Sequence, residues 1–463
     1  MAGAFGAGLG AVPPQPPPRE ELEAEVVQVM PTLVVKLAGS ASGTGVVRGL
    51  RPGPWRVDKM ANRVTFGRQL EAMRRVLEGP GESATSAAKV ASAPDPGVVE
   101  AVTCGFGLTG EGAPPPPDVP GLLGAEPACG IPHMRSAALA SLGSPHTRLN
   151  ASQRSAVAAG LTRKLTLVQG PPGTGKTHTA VTLVSLWLRC GVGQVLATSD
   201  SNVAVDNLVD GLARAGARVC RIGRPEAIRQ DLNQFTLESL AGPVPPGAPK
   251  DAKFQAEQAA LRRAEVVCCT CSGAGSEILE RFPFAAVLVD EASQATEPST
   301  LVPLARGARV AALVGDHRQL PPTILSKRAE EGGLGTSLFD RLVAWGVRPH
   351  LLDTQYRMHP ALAVYPSEAF YAGMVRSGTP ARERRPPAGF AWPLPGVPVA
   401  FVPVDHGQDA PDGQSYVNRA EADAVAAVVR GVLAAGELRP SDVGVITPYA
   451  AQVRLLRRAL RGG

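Results

Sequence analysis

Several things are scarce in this chain of 463 residues. Aromatic side chains make up only 4% of it, against 51 Gly and 44 Pro, and much of that glycine and proline sits in a few segments. Such a balance points to ordered domains joined by flexible stretches rather than one uniform globule. No apolar run is long enough for a membrane span, which excludes a helical membrane partner. No basic residue precedes Arg19, so the opening MAGAFGAGLGAVPPQPPP matches neither a signal peptide nor an Arg-rich transit peptide. A cytoplasmic, or also nuclear, location is the expectation. Cysteine is rare too: seven residues, mostly within apolar runs, favour a reducing compartment over a disulfide framework. No repeat of fixed period is visible.

What is present is ample for two or three domains with full cores: 44% hydrophobic residues spread over the 463. The formal net charge of +6 permits a polyanionic partner without demanding one.

One stretch organises the rest, Leu165 to Thr177, reading LTLVQGPPGTGKT. Apolar Leu165, Leu167 and Val168 predict a strand running into a glycine-rich turn, and Ala180, Val181, Val184, Trp187 and Leu188 recur behind it at helical spacing. The turn Gly170-Pro171-Pro172-Gly173-Thr174-Gly175-Lys176-Thr177 has the G-x-x-x-x-G-K-[ST] pattern of a Walker A phosphate loop. Glycines let backbone N–H groups converge on phosphate oxygens, and the following helix points its partial positive end at the anion. Lys176 adds a full charge for the β/γ-phosphates and the Thr177 hydroxyl can ligate Mg²⁺.

Around that stretch, residues 1–20 read as disordered low-complexity sequence. Residues 21–78 hold short β-type runs that suggest a small barrel, then a helical pattern from Trp55 to Leu77 with apolar Val57, Met60, Ala61, Val64, Leu70, Met73 and Leu77. Residues 79–147 have linker composition. From Leu149 strands and helices alternate, with strands expected at 165–169, 194–198, 265–270, 285–290 and 309–315, the βαβ rhythm of a parallel sheet covered on both faces. This first α/β domain spans 148–325, with a polar insertion at 223–263. A second, at 326–463, offers only three strand candidates, at 350–353, 398–404 and 443–447, and reads as incomplete.

Further groups line up with the phosphate loop. Ala286–Asp290 is an apolar run ending in Asp290-Glu291. A carboxylate at the end of a buried strand beside a phosphate loop completes a Mg²⁺ shell, which assigns Asp290 to the metal. Glu291 is then placed to deprotonate the attacking water. In isolation, two acids after a strand are merely a helix cap. Gln319, in GDHRQLPP after another apolar strand, can sense the γ-phosphate. Arg357, in Gln355-Tyr356-Arg357-Met358-His359-Pro360, can reach across a cleft to the same group, while Tyr356 offers a face to adenine. Gln153 can pair with adenine N6 and N7. Ser201, Asn202 and Val203, with Thr270 and Ser272, follow sheet strands away from the phosphate loop and suit phosphodiester contacts, or plain helix capping. Cys268, Cys269 and Cys271 lack a second Cys or His pair and read as buried thiols rather than a zinc site.

Six blocks, GPPGTGKT (170–177), SNVAVDNL (201–208), CCTCSGAG (268–275), VDEASQATEP (289–298), GDHRQLPP (315–322) and QYRMHP (355–360), stand in one order. Together they resemble the superfamily 1 subfamily B helicases, the group of the up-frameshift nonsense-mediated-decay and immunoglobulin-mu-binding-protein helicases. The resemblance runs from about residue 24 to 463. It implies tandem RecA-like P-loop domains, the second incomplete here, with a small β-barrel and a helical stalk at WRVDKMANRVTFGRQLEAM. It also implies nucleic-acid-stimulated ATP hydrolysis with Mg²⁺, 5′-to-3′ movement of a monomer on single-stranded RNA or DNA, and RNA-decay factors as partners. By the same resemblance Gln153 and Tyr356 hold adenine, Lys176 and Thr177 hold phosphate and Mg²⁺, and Gln319 and Arg357 read the γ-phosphate. YVNRAE (416–421) resembles a family stretch that brings Glu421 to the ribose, and VGVITPYAAQ (443–452) matches a second-domain strand that adds Thr447 and Pro448 to the nucleic-acid candidates. The family's later motifs and its Cys/His-rich zinc module have no counterpart here. The competing expectations are therefore a truncated nucleotide- and RNA-binding module that hydrolyses slowly, and a protein-remodelling P-loop ATPase, against which GDHRQLPP and QYRMHP argue.

Overall fold

The computed structural model describes residues 63–77, 93–103, 140, 142 and 148–461 apart from four positions between 244 and 250, together with the backbone of two short strands. Those strands, β1 (Ala24–Gln28) and β2 (Val34–Leu37), pair antiparallel with a bulge between Val26 and Gln28. They belong to a unit of their own, residues 1–61. The rest of the expected barrel, the low-complexity start, the first part of the helix expected from Trp55 and most of the expected linker lie outside the described residues.

The second unit is built on a sheet whose strands carry residues that face cores on both sides. β3 (Leu165–Gln169), β4 (Val195–Ser199), β5 (Val219–Arg221), β6 (Val266–Thr270), β7 (Ala286–Asp290), β8 (Val310–Gly315) and β9 (His350–Leu351) lie in the order β5-β6-β4-β7-β8-β3-β9, every neighbouring pair parallel. Side chains of a strand alternate between faces, so a sheet covered on both sides needs continuous apolar runs. Val287 and Val289 of β7 join one core with Leu165, Leu167 and Leu313, while Ala286 and Leu288 join the other with Val168, Leu183 and Trp187. The same alternation sends Cys268 to one core and Cys269 and Cys271 to the other, no group of three or more potential metal ligands forms among the described residues, and burial pushes Cys220 and Cys269 up to about 12.

Helices cover the sheet. α1 (Arg63–Leu77) lies along α7 (Glu297–Leu304), burying Ala72 and Val76. α2 (Pro96–Thr103), α3 (Ala151–Thr162), α4 (Lys176–Arg189), α5 (Asn202–Arg214), α6 (Ala252–Arg263) and α8 (Leu338–Ala344) complete the layers. Among the described residues no helix is long and apolar enough to cross a membrane.

Several expectations need correction. The linker of 79–147 contains α2, whose Val98, Ala101 and Val102 repeat at helical spacing and are buried, with Asp95 held 2.8 Å from Lys164. In α1 the expected apolar stripe is largely outward: Val64, Leu70 and Leu77 are exposed, and the small Ala72 lets the helix approach α7 instead. The edge strand β5 was not legible at three residues. His350–Leu351 does not begin a second sheet; it pairs with Val168 and Gln169 of β3, so the first α/β layer runs past residue 325. Residues 398–404 and 443–447 form no strand, and Phe401 and Ile446 are exposed, because neither segment finds a neighbour to pair with among the described residues.

Beyond β9 the chain forms β10 (Thr354–Gln355) paired with β11 (Arg376–Ser377) around α9 (Pro360–Tyr371). A hairpin, β12 (Asp409–Asp412) and β13 (Ser415–Asn418), then packs with α10 (Arg419–Ala434) and α11 (Ala450–Arg461).

Candidate nucleotide and nucleic-acid site

All seven strands point their C-terminal ends the same way, and the loops leaving β3, β7, β8 and β9 meet there. The loop after β3 begins with the Gly170 N–H donating to Gly315 O at 2.9 Å and is braced by Thr174 Oγ1 donating to Pro171 O at 2.7 Å. Gly173 and Gly175 take φ of +76° and +80°, the left-handed region where a Cβ is strained, and Gly175 sits at the N-cap of α4. Lys176 folds back across the loop: a Cβ on Gly170 would collide with its Cγ. Its Nζ reaches Glu291 Oε1 at 3.4 Å. Thr177 stands beside it in the first turn of α4.

Asp290 ends β7 at 2% exposure, and Glu291 follows with φ +52°, a left-handed conformation rare outside glycine that non-glycine residues adopt at a cost of about 1–3 kcal/mol. Burial, then the neighbouring Glu291 charge, push Asp290 up to about 7, against the opposing pull of Lys176 and the Glu291 N–H. Carboxylate and hydroxyl oxygens such as those of Asp290 and Thr177 are the donors a dication bound to phosphate takes, while the Lys176 ammonium suits the phosphate itself. Gln294 Nε2 donates to Glu291 Oε2 at 3.2 Å, so both oxygens of Glu291 are held.

The loop after β8 crosses this one. Asp316 N–H donates to Ser293 Oγ at 2.9 Å, and a Cβ on Gly315 would stand 2.9 Å from Ser293 N, so only glycine lets the two loops touch. Gln319 Nε2 donates to Asp316 Oδ2 at 2.6 Å. From the other side the Tyr356 N–H donates to Gly173 O at 2.8 Å, and a Cβ on Gly173 would lie 2.6 Å from Arg357 Cβ. Arg357 thus sits on the phosphate loop, its side chain exposed at the mouth. Gln355, fully buried, shapes this turn by accepting from the N–H groups of Arg357 and Met358 at 2.9 and 2.7 Å.

Tyr356 and the residues before α3 also meet: Asn150 Nδ2 donates to Tyr356 Oη at 2.9 Å. Gln153 departs from its expected use. Its Oε1 accepts from the Asn150 N–H at 3.0 Å in a capping box, and Nε2 donates to Thr174 O at 3.0 Å. The amide therefore braces the loop, with one lone pair of Oε1 and one hydrogen of Nε2 left over for a further partner.

Glu421 is not at this site by any of its helix's main contacts. It lies exposed in the first turn of α10, its N–H donating to Asn418 Oδ1 at 3.1 Å, in a group formed with β13 and α11. Pro448 is likewise exposed and Thr447 half-buried in an unpaired segment.

The remaining candidates follow β4 and β6, separated from the phosphate loop by β7 and β8. Ser201 caps α5, its Oγ accepting from the Ala204 N–H at 3.2 Å, and Val203 is 72% exposed. Asn202 Oδ1 accepts from Arg221 Nη2 at 2.8 Å, which turns its amide nitrogen away from that arginine. Thr270 Oγ1 accepts from the Gly273 N–H at 3.1 Å, and Ser272 O accepts from Arg68 Nη1 of α1 at 2.9 Å. Two groups of candidate residues thus share one edge of the sheet. Sequence reading missed Asp316, Tyr371 and the buried Arg221–Asp206 pair, 3.0 Å apart. Asp206 and Asp316 lie inside the blocks 201–208 and 315–322 but were given no role there; no motif marks Tyr371, while a charged residue inside an apolar run, as Arg221 is, was a usable signal.

Two family models, each described as an AAA domain, match residues 148–242 with 249–327 and residues 334–463. The sequence blocks, the sheet order and the matched spans agree. The chain belongs to the superfamily 1 helicases of the up-frameshift type. Tandem RecA-like domains are the architecture of that family, and the seven-stranded sheet is the first of them. Over 330 residues the chain is 39% identical to "Regulator of nonsense transcripts 1 homolog" of Drosophila melanogaster, covering 66% of this chain and 28% of that one. The Arabidopsis thaliana protein of the same name is 40% identical over 333 residues, 66% and 26% of the two chains. "ATP-dependent helicase NAM7" of Saccharomyces cerevisiae is 38% identical over 331 residues, 66% and 34%. The chain spans about a quarter to a third of the length of these curated relatives.

Proposed function

We propose that this chain is an ATP-driven motor segment that moves 5′-to-3′ along single-stranded RNA or DNA, as a monomer, in RNA surveillance with RNA-decay partners. The observation that supports this reading is the meeting of Glu291 with Lys176 and of Arg357 with Gly173 at one phosphate loop, with Gln319 joined through Asp316 to Gln169 just before it, and polar side chains after β4 and β6 on the same sheet edge. Backbone N–H groups of 170–177 and Lys176 would bind the phosphates. Thr177 and Asp290 would hold Mg²⁺, which neutralises charge on the phosphates when bound. Glu291 would orient the attacking water and take its proton. Gln319 and Arg357 would read the γ-phosphate, and Tyr356 would stack on adenine. Ser201, Asn202, Val203, Thr270 and Ser272 would grip the strand by its backbone. α1, lying along α7 and touching Ser272, takes the place of the family's stalk, and β1–β2 that of its barrel.

One observation favours a second reading, a binding module that hydrolyses slowly: segments 398–404 and 443–447 stand unpaired, and Glu421 lies in the group of β13, α10 and α11. ATP turnover of residues 1–463 with and without poly(U) and single-stranded DNA decides between them. Stimulation supports the motor. Tight ATP binding without stimulated turnover supports the module and overturns the motor.

A further inference from the structure

The carboxylate of Asp316 joins three parts of the molecule. It is 1% exposed at the end of β8. Its Oδ1 accepts from Gln169 Nε2 at 3.2 Å, on the last residue of β3 before the phosphate loop, and from the Arg318 N–H at 3.2 Å. Its Oδ2 accepts from two donors, Gln319 Nε2 and Tyr371 Oη, each at 2.6 Å. Because the acceptor is a carboxylate, the amide nitrogen of Gln319 and not its carbonyl must face it, and the second hydrogen of that nitrogen stays available. Tyr371 is the last residue of α9, the helix that begins two residues after Met358, and is 6% exposed. Burial and the bond to Asp316 hold its phenol well above the usual tyrosine range, so it remains a donor.

We propose that Tyr371 is a positioning residue for γ-phosphate sensing: by sharing Asp316 Oδ2 with Gln319, its hydroxyl ties the seating of the Gln319 amide to the helix Pro360–Tyr371, and through that helix to Arg357. This rests on the reading of Gln319 given above. If α9 moves, Tyr371 leaves or tightens on Oδ2, and the oxygen that orients Gln319 changes its remaining partners. The sensor on the β8 loop and the arginine on the β10 turn then respond together. Tyr371 itself touches no phosphate.

Tyr371→Phe removes one O–H and keeps the ring. Affinities for ADP and for a non-hydrolysable ATP analogue are measured in the wild type, Tyr371→Phe, Gln319→Ala and the double variant. The wild type should prefer the triphosphate, and Tyr371→Phe should lose about tenfold of that preference, the size of one hydrogen bond to a charged group. The double variant should be no worse than Gln319→Ala alone, because the tyrosine acts through the glutamine. Hydrogen exchange at the Arg318 and Gln319 amides should quicken in Tyr371→Phe. A wild-type preference left unchanged by Tyr371→Phe, a loss that adds to that of Gln319→Ala, or unaltered exchange each overturns the positioning role while leaving the functional reading intact. A wild type with no preference for the triphosphate overturns both, at the functional reading.

Discussion

Lys176 Nζ lies 3.4 Å from Glu291 Oε1, so the lysine of the phosphate loop and the acid that follows β7 neutralise each other. On the proposed reading a triphosphate would draw the lysine to its own oxygens and leave Glu291 to Gln294. The pair is therefore a contact that nucleotide binding exchanges, and the two residues separate by experiment.

Lys176→Ala removes the charge that binds phosphate, and ATP affinity should fall. Glu291→Gln keeps the shape and the lysine contact as a neutral hydrogen bond, so ATP affinity should hold or rise while turnover falls by about 10²–10⁴. Equilibrium titration of a fluorescent ATP analogue beside steady-state turnover checks both, and equal losses in the two variants would contradict the division of roles.

Arg357 rests on the phosphate loop by its Cβ, with its guanidinium free at the mouth. Arg357→Ala should bind ATP near normally and lose turnover by up to on the order of 10³–10⁵, the range for an arginine finger. Gly173→Ala should do something different: with φ +76° and a Cβ 2.6 Å from that of Arg357, it should disturb the loop and weaken ATP binding itself. Binding and single-turnover rates distinguish the two outcomes.

Gly315→Ala tests the contact between the acidic loop and the sensor loop. The new Cβ would stand 2.9 Å from Ser293 N and 3.3 Å from Ala292 N, both backbone atoms that cannot swing clear. Overpacking of this kind should destabilise by about 1–3 kcal/mol, read as a lower denaturant midpoint with little change in slope.

Arg221 is fully buried, bound to Asp206 at 3.0 Å and to Asn202 at 2.8 Å, and Asp206 Oδ2 also accepts from the Arg229 N–H at 3.0 Å. Removing one partner leaves a buried charge alone, so Arg221→Met or Asp206→Leu should each destabilise by about 3–5 kcal/mol. The double variant should recover part of that loss in urea unfolding, since neither charge is then stranded.

The parallel sheet and its phosphate loop were legible because a buried parallel strand must be apolar throughout, and the loop must be glycine where backbone meets phosphate. β3, β4, β6, β7 and β8 fall within a residue of where periodicity put them. The short β5 was hidden, for three residues carry no period; a strand at 350–353 was read, but not that it joins β3 from nearly two hundred residues away. Segments 398–404 and 443–447 went the other way: they carry strand-like runs, but a strand exists only where a neighbour accepts its hydrogen bonds.

Local sequence determined which side chains are candidates to bind phosphate, hold a dication and activate water, because those demands fall on residues a few positions apart. Tertiary packing alone decided the rest. It folded Lys176 onto Glu291, committed Gln153 to a cap, buried Arg221 with Asp206, and brought Tyr371 to Asp316 across fifty-five positions of chain. Contacts between distant residues depend on how whole layers stack, and no window of sequence contains that information.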